Sequence, residues 1–143
     1  MSADFVERFA RWWSDHDPDS LGELLADDVR LVQPIAPDTH TLADGIEAFR
    51  RLFRFLPDLT GQVHDSSFDG NLVFIHFTLS ATYGGRPISW DAVDRFVLRD
   101  GLAVERVSYF DSMPLAIDMA LRPRGWRELA SAGYRPQLGR LKP

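Results

Sequence analysis

The sequence predicts an α+β domain in which N-terminal helices pack on the concave face of a curved antiparallel sheet. Two observations support this prediction. Apolar residues near the N-terminus recur at helical spacing, whereas the second half contains four strand-like runs, at residues 60–68, 71–83, 87–99 and 102–110. Tight-turn sequences separate the runs, and strands joined by such short turns are antiparallel. Helices followed by a strand meander are typical of α+β architecture.

The N-terminal elements are assigned from periodicity and capping residues. A helix over residues 4–14 is predicted by four apolar side chains at helical spacing, namely Phe5, Phe9, Trp12 and Trp13. Asp17 before Pro18 is a typical N-cap with proline at the first helical position, which predicts a second helix to about Ala26. The alternating sequence VRLVQP then predicts a strand that Pro34 ends.

The remaining elements follow from turn residues and breaks in the pattern. Residues 35–44 are rich in Pro, Asp and Thr, so we expect a loop there. Asp44-Gly45 begins a third helix, which Pro57 ends. After the four strands, residues 115–132 have a helical pattern broken at Pro123, and the sequence from Tyr134 onward is irregular. We expect one domain over residues 1–143, with a core at about 3–117 and a C-terminal helical and irregular tail.

Composition and charge limit the class of protein. Hydrophobic residues make up 45% and charged residues 26%, which is ordinary for a soluble globular protein. No run of about 18 apolar residues predicts a membrane span, and the N-terminus lacks the pattern of a signal peptide. The absence of cysteine excludes disulfides and thiolate metal sites and favours a cytoplasmic location. The net charge of -5 argues against a nucleic-acid partner. The basic stretch from Arg122 to Lys142 has two interpretations, a solvated tail or a segment that binds a polyanion.

Strand alternation predicts which side chains face the interior. Successive strand residues point to opposite faces, so one face of residues 88–98 carries Ile88, Trp90, Ala92, Asp94, Phe96 and Leu98. Asp94 is the single acid on that apolar face. In the last strand the same argument gives an interior set of Val104, Arg106, Ser108 and Phe110.

Three segments, in the order of the predicted elements, resemble a known group of proteins. LGELLADDVRLVQP is similar to its second-helix-to-first-strand segment, ADGIEAFRRLF to its third helix, and ERVSYFD to its last strand. The group is the cone-fold superfamily of nuclear transport factor 2, and within it the SnoaL-like polyketide cyclases, ketosteroid isomerases and limonene epoxide hydrolases. The resemblance covers residues 3 to 117. It implies a cone-shaped sheet, an apolar pocket at its open end and a homodimer formed through the outer sheet face.

The resemblance implies an oxyanion-binding role for Asp94. Asp94 falls where ketosteroid isomerases carry a protonated aspartic acid, and a neutral carboxyl group in an apolar site can donate a hydrogen bond. The general-base position of those enzymes holds Gln33 here, and their first-helix tyrosine is Phe9. Steroid isomerisation is therefore not expected. The alternative interpretation is that Asp94 forms a buried ion pair with Arg106.

The resemblance also implies a general acid–base role for Asp111. The sequence YFD matches the place where limonene epoxide hydrolases keep a water-activating aspartate and where cyclases keep an acid–base aspartate. The alternative is that Asp111 caps the following helix. His40, in the long loop, is a candidate base in place of the missing acid at Gln33. The epoxide hydrolases also need an Arg and an Asp spaced i, i+2 on the middle strand, where this chain has His76 and Thr78.

The expected function combines these residues with an aromatic pocket. The residues expected to contact the substrate are Trp12, Trp13, Gln33, Phe53, Phe55, Trp90, Phe96, Ser108 and Phe110. Such aromatic side chains suit a planar polycyclic ligand, and the lack of metal-ligand spacing or a phosphate-binding loop favours a cofactor-free protein. We expect a cofactor-independent acid–base enzyme, with Arg106 tuning Asp94 and Asp111, that acts on a hydrophobic carbonyl or enolisable substrate. The alternatives are an epoxide hydrolase and a non-catalytic ligand-binding or accessory domain.

Overall fold

Residues 2–34 and 36–132, which the computed structural model describes, form a six-stranded sheet with helices packed against it. The helices are α1 (Ser2–Ser14), α2 (Leu42–Phe55), α3 (Ser112–Ala120) and α4 (Trp126–Ser131), with short 3-10 helices at Pro18–Glu23 and Pro123–Gly125. The strands are β1 (Leu25–Gln33), β2 (Ala36–Thr39), β3 (Thr60–Asp69), β4 (Leu72–Tyr83), β5 (Arg86–Arg99) and β6 (Leu102–Tyr109). The predicted α+β class is confirmed.

The sheet is mixed rather than wholly antiparallel. Its strand order is β2-β1-β6-β5-β4-β3, and the meander from β3 to β6 is antiparallel as predicted. Strand β1, however, runs parallel to β6, with Leu31 opposite Arg106. A parallel pair needs a long connection, and the whole of α2 and the meander lies between these two strands. The prediction of a purely antiparallel sheet is wrong at this pair.

Two N-terminal elements also differ from the sequence prediction. The second helix is only a 3-10 helix that ends at Glu23, because Leu25 already pairs with Ala103 and the Ala103 N–H donates to the Leu24 carbonyl at 2.8 Å. Pairing with β6 thus replaces the last helical turn. The predicted loop contains strand β2, which returns antiparallel to β1. His40 follows directly after it.

The hydrophobic core joins α1 and α2 to the inner face of the sheet. Phe9 of α1 lies edge-to-face against Phe77 of β4 and Phe96 of β5, with ring centroids 5.1 and 5.5 Å apart. Trp13 contacts Phe77 and, on α2, Phe49. These contacts hold both helices over the same face, as the sequence predicts.

A β-bulge shifts the alternation of β6. Val97 pairs with Glu105, but the next residue, Leu98, pairs with Ala103, so Val104 is an extra residue. Ala103 is therefore buried, whereas Val104 is only half-buried. The expected inward position of Val104 is corrected. Beyond the bulge the predicted phase holds, and Arg106 and Ser108 are both buried.

Part of the predicted tail lies outside the described residues, including everything from Tyr134 onward with Arg135, Arg140 and Lys142. The single-domain organisation over residues 1–143 stays a prediction. Within residues 2–34 and 36–132, every helix is too short or too polar to cross a bilayer.

We expect Gly61→Ala to destabilise the fold, because α1 approaches β3 closely at this glycine. A Cβ atom at Gly61 would lie 3.0 Å from both Cβ and Cγ of Trp13, which is itself buried. Overpacking of this kind costs about 1–3 kcal/mol, and urea unfolding measures it. Gly22→Ala is the matched control, since its added Cβ would meet only Leu42 Cδ2 at 3.5 Å. Equal stability of the two variants would contradict the close approach.

Candidate active site

A cavity of about 510 Å³ lies between the inner face of the sheet, strand β2 and helix α2. Its apolar lining includes Trp13, Phe49, Leu52, Leu79, Trp90 and Phe110. Its polar lining consists of Gln33, Thr39, Asp44, Glu47, Arg51, Arg106 and Ser108. The polar groups thus come from four different elements, β1, β2, α2 and β6, and share one apolar chamber with the aromatic rings.

Asp94 and Arg106 form a buried ion pair beside this cavity. Arg106 Nε donates to Asp94 Oδ2 at 2.5 Å, and the two residues are 6% and 0% exposed. Arg106 lines the cavity, whereas Asp94 does not. The structure thus has the buried ion pair that the sequence predicts as the alternative role of Asp94. In it the carboxylate accepts the hydrogen bond and holds Arg106, so the group that faces a substrate is the guanidinium.

Several hydrogen-bond donors around the cavity have no acceptor among the described residues. The Nη groups of Arg106 and the hydroxyl of the buried Ser108 make no hydrogen bond there, and Trp90 Nε1 is buried and unpaired. The guanidinium lies over the ring of Phe49, with Cζ 5.5 Å from the centroid. An unpaired buried donor such as Trp90 Nε1 is costly, whereas Arg106 and Ser108 border the cavity, where an acceptor oxygen of a ligand would meet them. The arrangement resembles the preorganised donor sets that stabilise an oxyanion.

The predicted catalytic residues Asp111 and His40 lie outside the cavity. Asp111 Oδ1 accepts a hydrogen bond from the Met113 N–H at 3.0 Å and caps α3, and the side chain is exposed. Neighbouring Phe110 lines the cavity, and consecutive residues of an extended chain point to opposite sides. The structure therefore places Asp111 in the capping position of the alternative interpretation, and its expected acid–base role stays a prediction. His40 is exposed beyond β2 and also does not line the cavity.

Five of the predicted substrate-contacting residues do line the cavity, and four do not. The first group is Trp13, Gln33, Trp90, Ser108 and Phe110. Trp12 and Phe96 belong to the core behind it, and Phe53 stacks on His16 with ring centroids 3.7 Å apart. Phe55 lines a separate cavity of about 550 Å³ beside the β4–β5 turn. On α2 Phe53 is turned by about 100° from Leu52. Phe55 has nearly the same helical phase as Ala48, but it lies two turns further along, beyond the last α2 residue that lines the cavity.

Sequence reasoning missed the contribution of β2 and α2. Asp44, Ala48 and Leu52 recur every four residues and form one face of α2 toward the cavity. The sequence contains that spacing, but the spacing alone does not indicate which face of the helix borders a cavity. Glu47 is held by Arg50 and Arg54, whereas the Asp44 carboxylate makes no ion pair within residues 2–34 and 36–132. In the same part of the chain, no group of three or more His, Asp or Glu side chains is placed to hold a metal ion.

Comparison with known proteins agrees with the geometry. The family model described as the SnoaL-like domain matches residues 6–106. No curated protein matches the chain. A structure from Jannaschia sp. CCS1, assigned as a SnoaL-like polyketide cyclase, has a TM-score of 0.71 at 19% identity and covers 85% of this chain and 92% of its own.

Two further solved structures have the same fold. TerC, co-crystallised with polyporic acid, has a TM-score of 0.74 at 19% identity, and the match covers 83% of this chain and 98% of TerC. Wild-type IdmH from Streptomyces antibioticus, also assigned as a polyketide cyclase, has a TM-score of 0.67 at 22% identity, with 84% and 99% covered. At these identities the likeness shows the fold alone.

The buried ion pair predicts non-additive losses of stability. Removing one partner of such a pair costs about 3–5 kcal/mol, because the other charge stays buried, whereas an apolar pair of similar size is often tolerated. We expect Arg106→Met to lower the free energy of unfolding more than Asp94→Leu does. Arg106→Met leaves the Asp94 carboxylate fully buried, whereas Asp94→Leu leaves an arginine that borders the cavity. The double variant should be closer to wild type than Arg106→Met. Urea unfolding of the four proteins measures this coupling, and strictly additive losses would contradict it.

Proposed function

The chain belongs to the SnoaL-like domain family, and from this premise we propose that it is a cofactor-independent enzyme of the polyketide cyclase type. Its substrate in this proposal is a hydrophobic, polycyclic compound with an enolisable carbonyl group. The observation that carries the proposal is the Arg106 guanidinium, which Asp94 holds at 2.5 Å while its Nη groups stay unpaired beside the cavity. Similar solved structures assigned as polyketide cyclases support the class.

The size and lining of the cavity support the substrate class. A volume of about 510 Å³ lies within the usual range for small-molecule sites. Trp13, Trp90 and Phe110 offer flat apolar surfaces, which suit fused rings. The Arg106 guanidinium borders the same cavity, so a substrate with a carbonyl oxygen at one end and an apolar ring system at the other matches both features.

The proposed chemistry is proton abstraction next to the carbonyl group. Asp44, the cavity carboxylate without an ion-pair partner among the described residues, takes the proton from the α-carbon. The electron pair of the C–H bond moves onto the carbonyl oxygen, where the Arg106 guanidinium donates to the developing oxyanion. The enolate carbon then attacks a second carbonyl of the same substrate and closes a ring. The proton returns from Asp44 to the new alkoxide.

In this scheme Asp94 is a positioning residue. Its contact with Nε fixes the plane of the guanidinium and leaves the Nη side free for substrate. It also balances the charge of Arg106, so the ion pair as a whole carries no net charge. A hydrolase that activates water with Asp111 is not favoured, because that carboxylate caps α3.

We also propose that the protein forms a two-fold homodimer through the outer sheet face. Tyr109 is 55% exposed and Val93 is 37% exposed on neighbouring strands of that face. Beside them Arg95 and Glu105 form an ion pair at 2.7 Å, and Arg30 also contacts Glu105. An apolar patch surrounded by charge is typical of a self-complementary interface.

Arg106→Lys and Asp44→Asn should each reduce enolisation of a bound ketone. Lysine keeps the charge but loses the planar donor fork, and loss of an oxyanion donor lowers the rate by about 10²–10³. Loss of the base lowers it by about 10²–10⁴. Deuterium incorporation from D₂O at the α-carbon, followed by mass spectrometry over a panel of polycyclic ketones, measures both.

Asp111→Asn is the matched control for these variants. Asparagine caps a helix about as well as aspartate, so the fold and the exchange rate should stay near wild type. Loss of deuterium exchange in Asp111→Asn would show that Asp111 takes part in the reaction and would contradict the assignment of Asp44 as the base. If the ketones bind but take up no deuterium with the wild-type protein, the protein is a binding domain rather than an enzyme.

Tyr109→Glu should convert the proposed dimer into a monomer, because it places a charge on each chain within the apolar patch of the proposed interface. Sedimentation velocity at micromolar concentration gives the oligomeric state of both proteins. Phe68→Glu is the control, since Phe68 is also exposed but lies on the distant edge strand β3. A monomeric wild-type protein would remove the dimer proposal.

A further inference from the structure

Two histidines lie side by side on the outer face of the sheet, away from the cavity. His64 of β3 and His76 of β4 have ring centroids 5.0 Å apart. His76 alternates with Ile75 and Phe77, which are fully buried on the inner face, so its ring lies on the opposite face. His64 is exposed and the His76 side chain is 37% exposed. The pair is therefore accessible from solvent in a single chain and independent of the proposed active site. It borders the proposed dimer face, since His76 pairs with Val93 across β4 and β5.

A bulge in the edge strand brings the two rings together. Val63 pairs with Phe77 and Asp65 pairs with His76, so His64 is an extra residue between them. Bulges re-aim side chains in this way. Here the extra residue places both His64 and Asp65 next to the single residue His76. Regular pairing would leave only one of them beside it.

The hydrogen bonds around the rings assign a proton to one nitrogen of each. The Thr78 hydroxyl donates to Asp91 Oδ1 at 2.5 Å, so at 2.6 Å from His64 Nε2 it accepts, and that nitrogen carries the hydrogen. Asp65 Oδ2 accepts from His76 Nδ1 at 3.2 Å. The other nitrogens, His64 Nδ1 and His76 Nε2, make no hydrogen bond to the described residues. In the neutral rings both carry lone pairs.

We propose that His64 and His76 bind a divalent transition-metal ion of the Zn²⁺ type. Imidazole nitrogen is a preferred ligand of these ions, and metal-binding histidines usually donate their other N–H to a carboxylate or another acceptor, as both do here. Two imidazoles on one tetrahedral ion, with metal–nitrogen distances of about 2.1 Å, have ring centres about 5 Å apart. Asp65 and Asp91 add negative charge beside the site.

The ion would connect the edge strand to the rest of the sheet. The described residues supply no third ligand in a metal-binding group, so water, or a ligand of a second copy, completes the coordination shell. Since β3 is the edge strand and is mostly exposed, a bond from His64 across the bulge to His76 would hold it to β4. An ion that binds only the folded state raises stability by mass action.

Zinc binding to the tag-free protein near neutral pH tests the site. Isothermal titration with ZnCl₂ should give one ion per chain, or one per two chains if a second copy shares it. His64→Gln and His76→Gln should each weaken binding by more than about tenfold, and Asp65→Asn by about tenfold, the lower end of the effect of such supporting groups. His40→Gln, which removes an exposed histidine elsewhere, should bind like wild type.

Two further readouts keep the test independent of any one variant. ZnCl₂ should raise the melting temperature of wild type and His40→Gln but not that of His64→Gln or His76→Gln. In the wild-type protein the imidazole C–H resonances of His64 and His76 should shift with zinc while those of His40 stay. Absence of binding, binding that survives both histidine substitutions, or equal shifts of all imidazoles would overturn the proposal.

Discussion

Arg106 Nε and Asp94 Oδ2 meet 2.5 Å apart in a region from which water is almost excluded. Removing two charges from water is expensive, and an apolar pair of similar volume is often as stable or more so. The pair therefore adds little to stability by itself, but it fixes a cation at the wall of the cavity, among aromatic side chains. The inner faces of β5 and β6 and the ring of Phe49 surround that cation, and the oxyanion contact proposed for a substrate depends on it.

The sequence allows prediction of this pair because both residues lie in regular parts of antiparallel strands. A period of two places Asp94 among apolar residues whatever the details of the fold, and Arg106 follows from the same rule on the next strand. The rule fails where pairing becomes irregular. The bulge exchanges Ala103 and Val104. After the end of β6 the alternation still holds, since Phe110 faces the cavity and Asp111 faces outward, where it accepts a hydrogen bond from the Met113 N–H.

Helical residues of the site were harder to predict for a different reason. Trp12 and Trp13 are adjacent and both buried, yet only Trp13 reaches the cavity. Amphipathic spacing indicates the buried face of a helix, but α1 and α2 each have neighbours on more than one side. Which buried side chain borders empty volume depends on the relative placement of α1, α2 and β2. That placement is set by contacts between residues far apart in sequence, and β2 itself was not predicted.

The boundary between Phe110 and Asp111 has a consequence for how such a site changes during evolution or design. One of these neighbours faces the chamber and the other caps α3, so their roles differ only by the phase of the chain. Shortening the stretch between Arg106 and Phe110 by one residue would exchange the two and bring a carboxylate into the chamber without any substitution. Strand β6 already absorbs one extra residue at Val104. An indel, rather than a point mutation, is thus a direct route from an aromatic wall to an acidic one in this fold.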